Sequence, residues 1–257
     1  MWKWNNKKIA YASILVAASV SFVIVGSRLA AITTFPSFKV AFAGLPIKIT
    51  GYLFGPLIGA VTGLIADILS FALLPTYYHP LYSLIMAMTG FIPGVIMWVM
   101  VKKKPSLNAY FGISFIILLL IAISTIIVIQ YIPDKFIVGT KEHPSKMPIH
   151  NKLAIQLIAS SGFFLWAIIL VIFRVIKKWN KHLILTAPII LFCSLLEVNN
   201  SLLTPYADSL TIGIPFGTAY IFHMFTSPLK IFTNIAIVSI TYRIIGPLVR
   251  NKIDNSY

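Results

Sequence analysis

The sequence predicts an all-α polytopic membrane protein, and three observations carry that prediction. The 257 residues are 58% hydrophobic and only 11% charged, with a mean hydropathy of +0.91. A soluble domain of this length needs more polar surface than that. Apolar runs recur near 9–31, 81–101, 109–132, 153–176, 183–203 and 215–247, and each meets the roughly 20 residues that a helix needs to cross a bilayer core. The net charge is +15, from 21 Lys and Arg against 6 Asp and Glu. The basic residues cluster between the runs, which suits helix flanks facing anionic lipid and argues against nucleic acid as a partner.

The first run follows a basic start in "MWKWNNKKIAYASILVAASVSFVIVGSRLA". Its apolar part, 9–26, is longer than the roughly 7–15 residues of a signal-peptide core, so it reads as a retained first helix. Ser13, Ala17 and Ser21 recur every four residues along it, with Ala10 and Ala18 beside them. Small residues on one face suit close docking of another helix, internal or from a partner. Arg28 closes this helix. The segment "TTFPSFKVAFAGLP" that follows is expected as a loop carrying Phe38 and Lys39.

"LPIKITGYLFGPLIGAVTGLIADILS" (45–70) is too long for one span and is broken at Gly55-Pro56. Proline is tolerated in the first turn of a helix, and a preceding glycine permits a tight turn. Two short antiparallel helices are expected, about 44–54 and 57–74, with Lys48 near the start of the first. Gly55, Gly59, Gly63 and Asp67 are four residues apart and line nearly one face. The glycines suit close backbone packing in lipid. Asp67 is costly at that depth and calls for either a structural partner, a hydroxyl or a Lys, or a binding role.

"LPTYYHPLYS" (74–83) reads as a short, stiff outer loop in which Tyr78 is an interface aromatic able to stack on a flat ligand. His79 there reads as a surface or capping residue, since no second ligand sits at metal spacing. Glu197, Asn199 and Asn200 place polar groups within a helix, which must face protein or a cavity. Lys230 lies inside the last apolar run. Arg28, Lys39, Lys48 and Lys230 together would make the outer half friendly to anions; headgroup snorkelling is the plainer account of Arg28 and Lys39.

These segments make eight helices, an even number that puts both termini on one side. Lys3, Lys7 and Lys8, then Lys102–Lys104, Arg174, Lys177, Lys178 and Lys181, and finally Arg243, Arg250 and Lys252 fall on that side. Asp134, Glu142 and Asp208 fall in the opposite loops. The basic side is expected to be cytoplasmic. The Lys-bearing 133–152 loop fits this least well. There is no Gly-Lys-Ser/Thr phosphate loop, no Ser-His-Asp pattern, and a single cysteine, Cys193. Neither catalysis nor a cofactor or metal is expected.

"FPSFKVAFAGLPIKITGYLFGPLIGAVTGLIADILSFALLP" resembles the signature of the substrate-binding S components of energy-coupling factor (ECF) vitamin transporters, closest to the folate-type branch. The matching features are the Phe-rich stretch 35–42, "LPI" at 45–47, "FGP" at 54–56 and the Gly/Ala helix ending in Asp67. "TGFIPG" (89–94) and "SPLKIFTN" (227–234) are similar to later parts of that branch. The resemblance implies a six-helix core of about 1–104 and 182–250, with an inserted helix pair over about 105–181, in one integral domain spanning 1–257. It implies capture of a vitamin from outside, with folate or a pterin favoured, and Arg28, Phe38, Lys39, Lys48, Asp67, Tyr78 and Lys230 as substrate-binding candidates. It further implies a membrane T component and two ATPase subunits as partners, in the cell membrane. The family docks on the T component through Ala-x-x-x-Ala, from which Ser13, Ala17 and Ser21 depart. Riboflavin, thiamine or a queuosine-type precursor would suit the same scaffold. A stand-alone secondary transporter of a small organic anion is the alternative, with Asp67 and Glu197 as its coupling site; an intramembrane enzyme or structural protein is the third class.

Overall fold

The structure, a computed structural model, describes residues 6–29, 37–75, 78–132, 135–138, 145–148, 151–175 and 180–254. The side chains of 27–29, 37–43, 135–138, 145–148, 180–185 and 248–254 lie outside that description. Eight helices occur in chain order: α1 (Asn6–Leu29), α2 (Ser37–Phe54), α3 (Pro56–Leu73), α4 (Pro80–Lys103), α5 (Leu107–Tyr131), α6 (Lys152–Val175), α7 (Asn180–Thr211) and α8 (Phe216–Asp254). Among the described residues, all of these except α2 hold a stretch long and apolar enough to cross a membrane. The protein is all-α, with the makeup of a multi-pass membrane protein. Between α5 and α6, strands β1 (Lys135–Val138) and β2 (Ser145–Pro148) pair antiparallel, Lys135 opposite Pro148. The charged 133–152 segment thus contains a short hairpin that alternation did not announce.

The helices have an inverted polarity pattern. Leu57, Leu64 and Ile68 of α3, Ile116 and Leu120 of α5, and Leu165 and Ile168 of α6 are exposed. Thr62 and Ser70, Ser114 and Thr125, and Gln156 and Ser160 of the same helices are buried. A lipid solvent demands this arrangement, since only inward polar groups find partners there. The buried hydroxyls find theirs one turn back: Thr62 donates to the Ile58 carbonyl at 2.9 Å, Ser70 to Ala66 at 2.6 Å and Ser114 to Tyr110 at 2.8 Å.

The chain divides into two compact units, Met1–Pro105 with Thr233–Tyr257, and Ser106–Phe232. In the first, Val16 and Val20 of α1, Ile47 of α2, Ala66 of α3 and Met86 of α4 share one core cluster. Ala12, Phe54 and Ile58 form a second, against which Tyr11, Leu15, Leu53 and Ile245 pack. Gly55 turns the chain between α2 and α3 at φ 101°, ψ 173°, a conformation open only to glycine, and Pro56 starts α3. A Cβ on Gly59 would lie 2.6 Å from the Gly51 Cα and 2.7 Å from the Gly90 carbonyl carbon. One on Gly63 would lie 2.7 Å from the Met86 carbonyl carbon, and one on Gly94 would lie 2.6 Å from that of Gly55. The α3 glycines therefore do what their spacing suggests: they let backbones touch, against Gly90 and Gly94 of α4 and Gly51 of α2.

In the second unit, α5 packs on α6 and α7. The first half of α8 is held from three sides. Trp166 Nε1 of α6 donates to the Pro228 carbonyl at 3.0 Å, and Gly162 leaves room for the Pro228 ring. Thr125 of α5 donates to the Met224 sulfur at 3.1 Å. Glu197 of α7 accepts a bond from Ser227. The α5–α6 pair is tied by Gln156, whose Nε2 donates to the Ile126 carbonyl at 3.0 Å and to Gln130 Oε1 at 2.9 Å.

Three expectations are corrected. Helix α2 begins at Ser37, so Phe38 and Lys39 lie in its first turn rather than in a loop, and Lys48 is the twelfth of its 18 residues rather than near its start. Pro46 lies inside α2, where neighbouring helices can satisfy the backbone group that a proline frees. Helix α4 begins at Pro80, which makes Ser83 helical. Asp208, expected in an outer loop, lies in α7 and is 2% exposed; α7 runs through Pro205 on the same grounds. On α1, Ser13, Ala17 and Ser21 are exposed, whereas Ala12, Val16, Ser19 and Val20 on the other side are buried.

Candidate functional site

Each unit carries a buried polar cluster. In the first, α2 brings Lys48 inward, where it is 3% exposed. Its stem turns back toward the helix N-terminus, as helical side chains do, and passes Gly44: a Cβ there would lie 3.8 Å from Lys48 Cε and 3.0 Å from Thr89 Cγ2. Gly44 thus leaves the space that the lysine uses. Lys48 Nζ donates to Asn234 Oδ1 of α8 at 2.6 Å. This charge-assisted bond fixes an ammonium inside the apolar unit.

On α3, Asp67 is half-buried. Ser83 Oγ donates to its Oδ2 at 2.5 Å, and the Tyr78 hydroxyl lies 3.0 Å from Ser83 Oγ. The single Ser83 proton goes to the carboxylate, so Tyr78 is the donor in the second bond. The Tyr78 ring packs on Phe71 at 4.9 Å between centroids. Two predicted residues, Asp67 and Tyr78, are therefore joined through a third that the sequence reading missed. The hydroxyl partner foreseen as Asp67's structural option is Ser83. His79 is the N-cap of α4, its Nδ1 accepting from Leu81 N at 3.2 Å, which is the capping role expected of it.

The second unit holds the other cluster. Glu197, Ser201, Thr204 and Asp208 recur at three- and four-residue intervals on α7, and all are buried. His223, Ser227 and Lys230 do the same on α8. Ser227 donates to Glu197 and also to the His223 carbonyl at 2.6 Å. Lys230 lies in the electrostatic field of Glu197 and Asp208, and His223 in that of Lys230. Both ring nitrogens of His223, and the hydroxyls of Thr204 and Thr218, are buried without a hydrogen-bond partner among the described residues. Among the described residues, no three His, Cys, Asp or Glu side chains gather as a metal would require.

The seven substrate-binding candidates fall out as follows. Asp67 and Tyr78 are brought together, and Lys48 belongs to the same unit on its own partner Asn234. Lys230 belongs to the second unit, with Glu197 and Asp208. The side chains of Arg28, Phe38 and Lys39 lie outside the described residues, as does all of Phe35. Asp67 and Glu197, paired above as a coupling site, fall in different units with different partners. Sequence reasoning missed Ser83, Asn234, Asp208, His223 and Ser227. Ser227 and Asn234 were quoted within "SPLKIFTN" but read only as motif; the alternating three-and-four spacing on α7 and α8 was the signal available for Asp208 and His223. The chain matches no family model, no curated protein and no solved structure.

Proposed function

We propose that this protein is the substrate-binding membrane subunit of an ECF-type vitamin transporter. It captures a folate or related pterin from outside, for ATP-driven uptake by a T component and two ATPase subunits. In this reading both termini are cytoplasmic. The observation that carries it is the pair of fixed, inward polar groups in the unit that bears the signature: Lys48 on Asn234, and Asp67 on Ser83 and Tyr78. Ionisable side chains inside a membrane are costly, and by default they mark a functional site. An ammonium complements a ligand carboxylate, a carboxylate complements ring N–H donors, and a tyrosine face suits a flat ring. The exposed Ser13, Ala17 and Ser21 face of α1 offers small residues on which a partner helix can close.

Native mass spectrometry of the detergent-purified protein tests the ligand class. A co-purified folate or pterin is expected. Another vitamin would keep the transporter reading and discard the folate branch. Titration of Lys48→Ala and Asp67→Ala tests the site. Each removes a charge-assisted contact of about 1.5–3 kcal/mol, so the Kd is expected to rise roughly 10- to 150-fold. Wild-type affinity in both variants would exclude this site.

A further inference from the structure

We propose that the β1–β2 hairpin lies on the headgroup layer of an anionic bilayer. This inference stands apart from the vitamin reading and uses none of its residues. The hairpin is tied to membrane-length helices at both ends. Ile132, Pro133 and Asp134 alone separate it from α5, and Ile149, His150 and Asn151 alone separate it from α6. Three residues span at most about 11 Å. At 1.5 Å per residue, the 25 residues of α5 and the 24 of α6 exceed the roughly 30 Å of a bilayer core, so both reach the headgroup layer. Their ends are fixed there. Ile132 is buried beside Gly217 of α8, where an added Cβ would lie 3.0 Å from Ile132 Cγ1. Asn151 caps α6 by accepting from Ala154 N at 3.0 Å, and Lys152 Nζ donates to the Gln130 carbonyl at 3.5 Å. Tyr131, at the end of α5, is 84% exposed, an aromatic at the level where such rings anchor. By register, Phe136 opposite Met147 and Val138 opposite Ser145 fall on one face of the ladder; Lys135 opposite Pro148 and Ile137 opposite Lys146 fall on the other. The first face is apolar but for a serine, and the second carries two lysines. A two-stranded hairpin this short is marginal in water by itself. At the acyl boundary its apolar face is sheltered and its basic face lies at the depth of the lipid phosphates, as in interfacial amphipathic segments. The charge of the whole segment fits the same partner, with Lys135, Lys141, Lys146 and Lys152 against Asp134 and Glu142. A phosphate-bearing surface thus accounts for lysines in a loop where the charge pattern of the rest of the chain expects few.

Site-directed fluorescence on the full-length protein in vesicles tests this, in a Cys193→Ser background. Met147→Cys and Ile137→Cys each receive an environment-sensitive fluorophore, one on each face of the hairpin. The vesicles are phosphatidylcholine alone, or phosphatidylcholine mixed with phosphatidylglycerol in both leaflets, so that the sidedness of insertion does not matter. Melting midpoints equal to that of the unlabelled parent establish that the labelled chains are folded. In the mixed vesicles the label at 147 is expected to be blue-shifted and quenched by a spin label carried on the lipid. The label at 137 is expected to be quenched by aqueous acrylamide instead. Lys135→Gln and Lys146→Gln should each lower the ratio of membrane-bound to water-exposed label at 147 about 5-fold, the worth of one lysine at an anionic surface. Lys→Arg at either position should keep the ratio, and in phosphatidylcholine alone neither Gln variant should change it. A label at 147 that stays water-exposed in both kinds of vesicle overturns the proposal. So does a blue-shifted label that no lipid-borne quencher reaches, since the apolar face then lies against protein, a second copy included. Equal effects of the Gln variants in the two kinds of vesicle overturn it as well, because lipid phosphates of net negative charge are then not what the lysines meet.

Discussion

An alanine at Gly59 puts a methyl carbon where two backbones already meet. That carbon would sit 2.6 Å from the Gly51 Cα and 2.7 Å from the Gly90 carbonyl carbon. Ordinary carbon contacts lie near 3.5–4.0 Å, so the backbones must separate by about 1 Å. Neither neighbour is a side chain that can rotate away. Overpacking of this kind costs about 1–3 kcal/mol even in cores that can adjust, and α3 is pressed from both α2 and α4, so the upper end of that range applies. At about 2–4 °C per kcal/mol for a chain of this size, the midpoint should fall by roughly 6–12 °C. Gly112→Ala is the matched control. It also lies inside a helix, α5, but nothing comes within 4 Å of the added carbon. There the alanine gains about 0.5–1 kcal/mol of helix propensity with no clash. Thermal unfolding in one detergent, with both variants side by side, reads the difference. Equal midpoints for the two would refute the reasoning that α3 is held by backbone contact.

Other consequences follow from single contacts. Asn234→Leu removes the Asn234 acceptor of the buried Lys48 ammonium and should cost about 1–3 kcal/mol; adding Lys48→Met should recover much of that loss in a double-mutant melt, since the Lys48 charge is then gone as well. Trp166→Phe keeps a ring beside Phe232, 6.0 Å between centroids in the native protein, but loses the bond to the Pro228 carbonyl; a cost of about 1 kcal/mol, or roughly 2–4 °C, is expected. Ser13→Leu with Ala17→Leu alters only exposed positions of α1. Stability should stay within about 0.5 kcal/mol; under the proposed function, co-purification with a co-expressed T component is lost.

The helices were legible because lipid imposes a length and an apolarity that composition alone reveals. The glycine ridge was legible because four-residue spacing on one helix is a local pattern. Its partners were not, since Gly51, Gly90 and Gly94 meet it only through the fold. Helix ends were the main source of misplaced boundaries. The apolar runs were expected to start near 44 and to end near 203, yet the helices extend to Ser37 and to Thr211, which hid the central position of Lys48 and the helical position of Asp208. Lys48 and Asp67 stood out because charge is rare in apolar runs. Ser83 and Asn234 did not, because a serine or asparagine acquires meaning only from the charge it faces. His223 lay in plain view in "AYIFHMFTSPLK", and only its burial without a partner distinguishes it.

The α3–α4 contacts have a register that links packing to the site. Gly94 meets Pro56, Gly90 meets Gly59, Met86 meets Gly63, and Ser83 meets Asp67. Each step moves one turn along both antiparallel helices. The seam is backbone on backbone until its last rung, where the glycine gives way to a carboxylate and the facing partner to a hydroxyl. Asp67 is therefore held at a position that the glycines set, and its bond to Ser83 is at once the end of the seam and part of the candidate site. Two substitutions separate those roles. Ser83→Ala leaves the carboxylate half-buried without its donor, and a fall of about 1–3 kcal/mol in stability is expected. Asp67→Asn keeps the shape and an oxygen for Ser83 while removing the charge, so the melt should stay within about 1 kcal/mol of wild type. Under the proposed function, pterin affinity should nonetheless drop about 10-fold, the difference between a charged and a neutral hydrogen bond. If Asp67→Asn binds as wild type does and Ser83→Ala alone is unstable, Asp67 serves the seam and the ligand's contacts lie elsewhere.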